Sequence, residues 1–185
     1  MPEKPSRLHR TQAALIVVDL QEKLLPAMFE KERVLGNAVR LIRAMTALNV
    51  PVLATEQYRK GLGPPVPEVA QALAQAPAFE KTAFSACGAD GFNEALAAAK
   101  VSQAILCGVE AHVCVCQTCL DLSERGFEVF VVADAISART PENLRCGLER
   151  MRDAGGVIVS TEMALFELIE KAGTEEFKKI LALVK

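Results

Sequence analysis

The sequence predicts a doubly wound α/β domain built on a parallel sheet, and three observations carry that prediction. Short apolar runs recur along the chain, they show no polar alternation, and the segments between them repeat their apolar residues every 3.6 positions. A strand covered on both faces by helices has no solvent side to alternate toward. Unbroken runs rich in Val and Ile therefore mark buried parallel strands, and strands alternating with amphipathic helices mark a doubly wound fold.

Taken in order, the first run is Ala13–Val18 (AALIVV). A helix follows, with Val34, Ala38, Leu41, Met45 and Leu48 on one face and Arg33, Arg40 and Arg43 on the other. The second run is Val50–Ala54. The Gly61-Leu62-Gly63-Pro64-Pro65 stretch after it reads as a surface loop and not as a domain linker. A short strand is placed near Phe79–Thr82. Asp90 is positioned to cap a helix carrying Phe92, Leu96 and Ala99. Ala104–Val109 is the next strand, and Val113–Arg125 reads as a helix with Val115, Cys119 and Leu122 inward and Gln117, Asp121 and Glu124 outward. Val129–Ala133 is a strand. Thr140-Pro141 opens a helix with the stripe Leu144, Leu148 and Met151, because Thr is a good N-cap and Pro suits the first helical position. Gly156–Val159 is the last strand. The final helix starts near Thr174, and its Phe177, Ile180, Leu181 and Val184 would dock on the same domain or on a partner subunit. There is no internal repeat, so residues 1–185 form one domain.

Composition narrows the function. The chain has 185 residues, of which 51% are hydrophobic and 24% charged, enough for a continuous core and a charged coat. A net charge of −2 with no Lys/Arg run argues against nucleic acid. No apolar run approaches the roughly 20 residues of a membrane span. Met1–Arg10 is charged and broken by Pro, unlike a secretory signal. The six cysteines are irregularly spaced, which suits reduced thiols in a cytoplasm. Only His9 and His112 supplement them as ligands, poor material for zinc. No metal or cofactor is expected.

In open parallel sheets, ligands bind beyond the carboxyl ends of the strands where strand order reverses. The residues at those ends are Asp19 and Gln21; Thr55, Glu56, Gln57 and Tyr58; Lys81 through Ser85; Glu110, His112 and Cys114; and Asp134. Asp19 directly follows six apolar residues, as a site carboxylate or equally as a helix cap. Lys81, taken alone, reads as an exposed edge lysine. Cys114 is more telling. It falls in the first turn of its helix, where free N–H groups and the macrodipole favour a thiolate and can hold an oxyanion. Cys87, Cys107, Cys119 and Cys146 read as small buried hydrophobes, and Cys116 lies on the shoulder of the core face. Cys114 points well away from Cys119, so three thiolates do not easily share one ion. The Cys116–Cys119 pair lies inside its helix, where a redox motif would start it.

Val17-Val18-Asp19-Leu20-Gln21, Lys81-Thr82-Ala83-Phe84-Ser85-Ala86 and Gly108-Val109-Glu110-Ala111-His112-Val113-Cys114-Val115 resemble the three signature segments of the isochorismatase-like cysteine hydrolases. The likeness continues through Asp121–Gly126 and Val131–Arg139 and so spans nearly the whole chain. Thr55-Glu56-Gln57-Tyr58 followed by Lys60-Gly61-Leu62-Gly63 most resembles the isochorismatase domain-containing subgroup. The resemblance implies a three-layer α/β/α sandwich with six parallel strands in the order 3-2-1-4-5-6. It implies an Asp19-Lys81-Cys114 triad, a cis peptide before Glu110, and an oxyanion hole from the amides of Glu110 and Cys114. In the implied mechanism Asp19 takes the thiol proton, Lys81 holds and balances its carboxylate, and Cys114 attacks an amide-like carbonyl to give a thioester. The resemblance also implies a homo-oligomer acting on a small molecule.

Departures from the family narrow the substrate. Nicotinamidases carry a histidine-containing metal site after the second strand, where this chain reads Glu56-Gln57-Tyr58-Arg59-Lys60. True isochorismatases do not keep the cysteine, so Cys114 favours an amide or related acyl substrate. Gln21, Gln57, Tyr58 and Phe84 are candidates for the pocket wall, each equally readable as scaffold. His112 is read as structural in preference to a Cys-His dyad. Two other functions compete. One is a catalytically silent binding or scaffold protein of the same fold. The other is a dinucleotide-binding oxidoreductase, which lacks its G-x-G-x-x-G turn where Asp19-Leu20-Gln21-Glu22 stands.

Overall fold

The structure, a computed structural model, describes residues 6–184. Met1–Pro5, part of the stretch read as unlike a secretory signal, and Lys185 lie outside the described residues. Six parallel strands form one sheet in the order β3-β2-β1-β4-β5-β6: β1 Ala13–Val18, β2 Val52–Gln57, β3 Ala78–Lys81, β4 Gln103–Val109, β5 Glu128–Ser137 and β6 Val157–Val159. The helices are α1 Lys31–Ala47, α2 Arg59–Leu62, α3 Pro67–Leu73, α4 Phe92–Ala98, α5 Cys114–Glu124, α6 Pro141–Asp153, α7 Thr161–Ile169 and α8 Glu175–Val184.

The absence of polar alternation has the expected cause. Ala13, Leu15 and Val17 of β1 join a core with α1, α3, α7 and α8, whereas Ala14, Ile16 and Val18 join a second core with α4, α5 and α6. Both faces of the strand are covered, giving a three-layer sandwich. No helix among the described residues is long and apolar enough to cross a membrane.

Several local expectations differ from the structure. β2 continues to Gln57, so Thr55, Glu56 and Gln57 lie in the strand and not beyond it. β5 continues to Ser137 past an irregularity that shifts its register against β4 between Leu106 and Gly108, which puts Asp134 inside the strand. Asp134 there accepts from the N–H and hydroxyl of Thr161, at 2.7 and 2.9 Å, and so anchors the start of α7. Asp90 caps nothing. Gly91 at φ 79° precedes α4 and makes the tight entry that a left-handed residue permits. The last helix packs against its own domain. Thr174 accepts from the N–H of Phe177 at 3.0 Å, Arg40 of α1 donates to the carbonyl of Leu183, and the ring of Phe166 of α7 lies against that of Phe177, tilted by 55° with 6.5 Å between their centres.

Candidate active site

The strand order sets the site. β1 lies between β2 and β4, with Val18 paired to both Thr55 and Gly108. The chain leaves β1 and β4 on this same edge, so Asp19 and the start of α5 meet at the switch point. Gly108 permits the seam to close: its φ is +114°, and a Cβ there would run into the backbone of Val18. Asp19 itself sits at φ 52°. Lys81 ends β3, two strands away, beside Gln57. Its long side chain crosses β2 to reach Asp19.

The contacts form one buried network. Lys81 Nζ donates to Asp19 Oδ2 at 2.7 Å, to Gln57 Oε1 at 2.6 Å and to the Phe84 carbonyl at 2.9 Å. Both side chains of the Lys81–Asp19 ion pair are 0% exposed. Thr55 Oγ1 donates to Asp19 Oδ1 at 2.7 Å. Gln57 presents Oε1 to the lysine because its Nε2 is committed to the Thr82 carbonyl at 2.9 Å, and Cys114 Sγ lies 4.0 Å from the same Oε1. Gln21 is buried and fully engaged: Oε1 accepts from the Gln57 N–H, and Nε2 donates to the carbonyls of Gln57 and Gly63. Tyr58 and Phe84, at 51% and 52% exposure, flank the network at the surface.

Cys114 is the first residue of α5, as expected from the helix pattern. Thr118, one turn on, binds the Cys114 carbonyl at 2.7 Å and receives the N–H of Ala86 at 2.9 Å, which ties α5 to the loop after Lys81. Burial works against the thiolate expected from the helix N-terminus. Burial pushes the Cys114 thiol up to about 12, and the Asp19 carboxylate, as charge and as hydrogen-bond partner, adds to the rise; the Lys81 ammonium and the Glu110 backbone N–H pull the other way. The Val109–Glu110 peptide is cis. The Glu110 side chain pairs with Arg139 at 2.7 Å, and Gly147 of α6 lets that helix approach the Ala111 carbonyl, which an added Cβ would meet at 2.8 Å.

The remaining candidates separate from this cluster. His112 Nδ1 is buried with no hydrogen-bond partner among the described residues, so it forms no Cys-His pair through that nitrogen. Cys87, Cys107, Cys116 and Cys119 are buried free thiols, but Cys146 is exposed, against the expectation of a buried hydrophobe, because α6 turns that face outward. Among the described residues no group of three His, Cys, Asp or Glu is placed to hold a metal ion. Thr55 and the Phe84 carbonyl entered the site without a role read from sequence. The signal for Thr55 was its place two residues before Gln57, on the same side of β2.

The Isochorismatase domain family profile matches residues 13–163. Isochorismatase domain-containing protein 2 of Danio rerio is 40% identical over 179 residues, covering 96% of this chain and 89% of that protein. The secreted isochorismatase effector Isc1 of Phytophthora sojae is 39% identical, covering 97% of this chain and 87% of that protein. Among solved structures, the MAR1 ribonuclease of Caenorhabditis elegans superposes with a TM-score of 0.92 at 38% identity, covering 97% of this chain and 92% of that one. YcaC of Pseudomonas aeruginosa, solved with hexane-2,5-diol and covalent acrylamide, gives 0.91 at 30% identity with the same coverage. The YcaC gene product of Escherichia coli, described as an octameric hydrolase of unknown specificity, gives 0.90 at 28% identity, again covering 97% and 92%. With its domain matched over most of its length and relatives alike from end to end, this chain belongs to the isochorismatase family.

Proposed function

We propose that this isochorismatase-family hydrolase acts on a small amide-like or related acyl substrate through Asp19, Lys81 and Cys114, by way of a thioester. The observation that carries the reading is the buried Lys81–Asp19 pair beside a sulfur whose proton the Asp19 carboxylate helps to hold. As the sulfur attacks the carbonyl carbon, its proton passes to Asp19. The developing oxyanion falls to the backbone N–H groups of Glu110 and Cys114. Asp19 returns the proton to the leaving nitrogen as the C–N bond breaks. Water, deprotonated by the same carboxylate, then cleaves the thioester and regenerates the thiol. All three ammonium hydrogens of Lys81 have partners, which suits a fixed counter-charge and not a proton donor. Tyr58 and Phe84 form the rim of the substrate pocket, while Gln21 and Gln57 serve it from beneath. These steps call on no metal or cofactor.

The covalent acrylamide carried by the Pseudomonas aeruginosa relative supports an amide-shaped site with a reactive nucleophile. The octameric Escherichia coli relative supports a homo-oligomer. Six free thiols favour the cytoplasm, with the secreted Phytophthora relative as the contrary precedent.

Ammonia release from a panel of small primary amides, with the wild type and Cys114→Ser, tests the reading. Turnover that falls at least about a thousandfold in the variant, at unchanged melting temperature, supports it. Equal turnover in the two proteins, or cleavage of isochorismate or RNA with none of any amide, refutes it. No turnover and no acylation of Cys114 identifies the scaffold alternative instead.

A further inference from the structure

We infer that Gln57 is a positioning residue that holds the Lys81 ammonium on Asp19 and away from the Cys114 sulfur. The inference rests on the triad reading above and assigns that triad a fourth member.

The amide oxygen of Gln57 lies between the two groups, 2.6 Å from Lys81 Nζ and 4.0 Å from Cys114 Sγ. Its orientation is not free. The side-chain N–H of Gln57 is spent on the Thr82 carbonyl, which turns the oxygen toward the site, and its backbone N–H, bound by Gln21 Oε1 at 2.7 Å, fixes the strand there. Lys81 has three hydrogens and three short acceptors, Asp19, Gln57 and the Phe84 carbonyl, with the Ala83 carbonyl as a longer fourth at 3.4 Å. Two of the short acceptors lie on fixed neighbours, and Gln57 takes the hydrogen directed toward the sulfur side. The charged groups acting on the sulfur are Asp19, from the end of β1, and Lys81, from the end of β3, with the backbone N–H of Glu110 beyond β4.

Without the Gln57 oxygen, that buried ammonium hydrogen is left with the long contact to the Ala83 carbonyl, 3.4 Å from Nζ, or with the sulfur. An unpaired buried donor is expensive, so the ammonium moves to it and favours the thiolate. Gln57 therefore keeps the thiol neutral until a substrate carbonyl arrives, and keeps Lys81 bound to the carboxylate that must take the proton.

Two substitutions separate this role from simple packing. Gln57→Met has a similar length and only a weak acceptor. Gln57→Glu keeps an oxygen for Lys81 and adds a negative charge near the sulfur. Iodoacetamide labelling of Cys114, followed peptide by peptide from pH 6 to 10, is read as a rate ratio to exposed Cys146 within the same protein. The ratio is expected to rise about tenfold in Gln57→Met and to fall about tenfold in Gln57→Glu, each equivalent to one unit in the thiol titration. A packing role moves both variants in the same direction. Ratios that shift together, stay at the wild-type value, or remain unmeasurable in all three proteins overturn the inference. If Gln57→Met fails to fold, Gln57→Glu decides alone: a lowered ratio supports the role and an unchanged one overturns it. Labelling needs no turnover, so a failure to hydrolyse any amide counts against the proposed reaction and leaves this result standing.

Discussion

Replacing Lys81 by Met should destabilise the fold far more than an ordinary lysine substitution, and replacing Asp19 by Asn at the same time should restore much of the loss. The ammonium is 0% exposed and makes hydrogen bonds of 2.7, 2.6 and 2.9 Å to Asp19, Gln57 and Phe84. Its removal leaves a sealed carboxylate with the Thr55 hydroxyl and the Cys114 thiol as its remaining side-chain donors, and strips a partner from the Gln57 side-chain oxygen and the Phe84 carbonyl. Breaking a buried pair on one side costs about 3–5 kcal/mol, a large share of the roughly 5–15 kcal/mol that holds a domain folded. For a chain of this size that lowers the melting temperature by roughly 6–20 °C. The double variant removes both charges and should lie within about 2 kcal/mol of the wild type, because the desolvation penalty leaves with the attraction. With no Trp and one Tyr in the chain, urea unfolding is followed by far-ultraviolet circular dichroism. A loss under about 1 kcal/mol for Lys81→Met, or a double variant as unstable as the two single losses combined, would refute the reasoning.

Two further outcomes follow from the same geometry. Burial pushes the thiols of Cys107, Cys114 and Cys119 each up to about 12. Between the ordinary thiol value near 8.5 and that value the folded chain binds more protons than the unfolded one. Stability should therefore hold constant up to about pH 8.5 and then decline, by at most about 1.4 kcal/mol per pH unit for each thiol, and urea midpoints that stay level from pH 8 to 11 would contradict this. Gly108→Ala should abolish soluble folded protein, since its Cβ meets the Val18 backbone at φ +114°. Gly126→Ala, at φ +86° with open space around it, should lose only about 1–2 kcal/mol, and equal melting of the two variants would remove the close-approach explanation.

How much of this was legible in the sequence depended on whether the cause was local. β1 and β4 were readable because both faces of each are buried, and a strand in that position has no polar residues to hide it. α7 was missed because Thr161–Ile169 is apolar on most of its circumference and presents no clean stripe, although Ser160, which caps it by accepting from Met163, was a visible start signal. α3 was missed as a short segment behind a run of prolines. The far half of β5 was hidden by Asp134, whose side chain is spent on the next helix. Asp19 stood out by following an apolar run directly. Lys81 did not, because a lysine ending a four-residue edge strand looks solvated; only the family resemblance singled it out. What buries it is the order of strands, a non-local fact. The alternation within β2 was likewise decisive: Thr55 and Gln57 point into the site, while Glu56 points away to meet Arg59 at 2.7 Å.

The protonated state of Cys114 bears on why the site needs a carboxylate and a lysine at all. A thiol at a helix N-terminus in contact with water would be partly ionised by the dipole alone. Here burial, with the Asp19 carboxylate, pushes the thiol up to about 12, which favours the protonated sulfur. Such a nucleophile must be generated at the moment of attack, by a base already beside it, and Asp19 is that base in the proposed mechanism. Two carboxylate oxygens held by Thr55 and Lys81 cannot rotate away when the proton arrives. The lysine charge then balances whichever of the two groups, carboxylate or sulfur, carries the negative charge. The same burial that suppresses the thiolate strengthens these interactions, since no water screens them. A site that opened to solvent would ionise its cysteine more easily and stabilise the attack less.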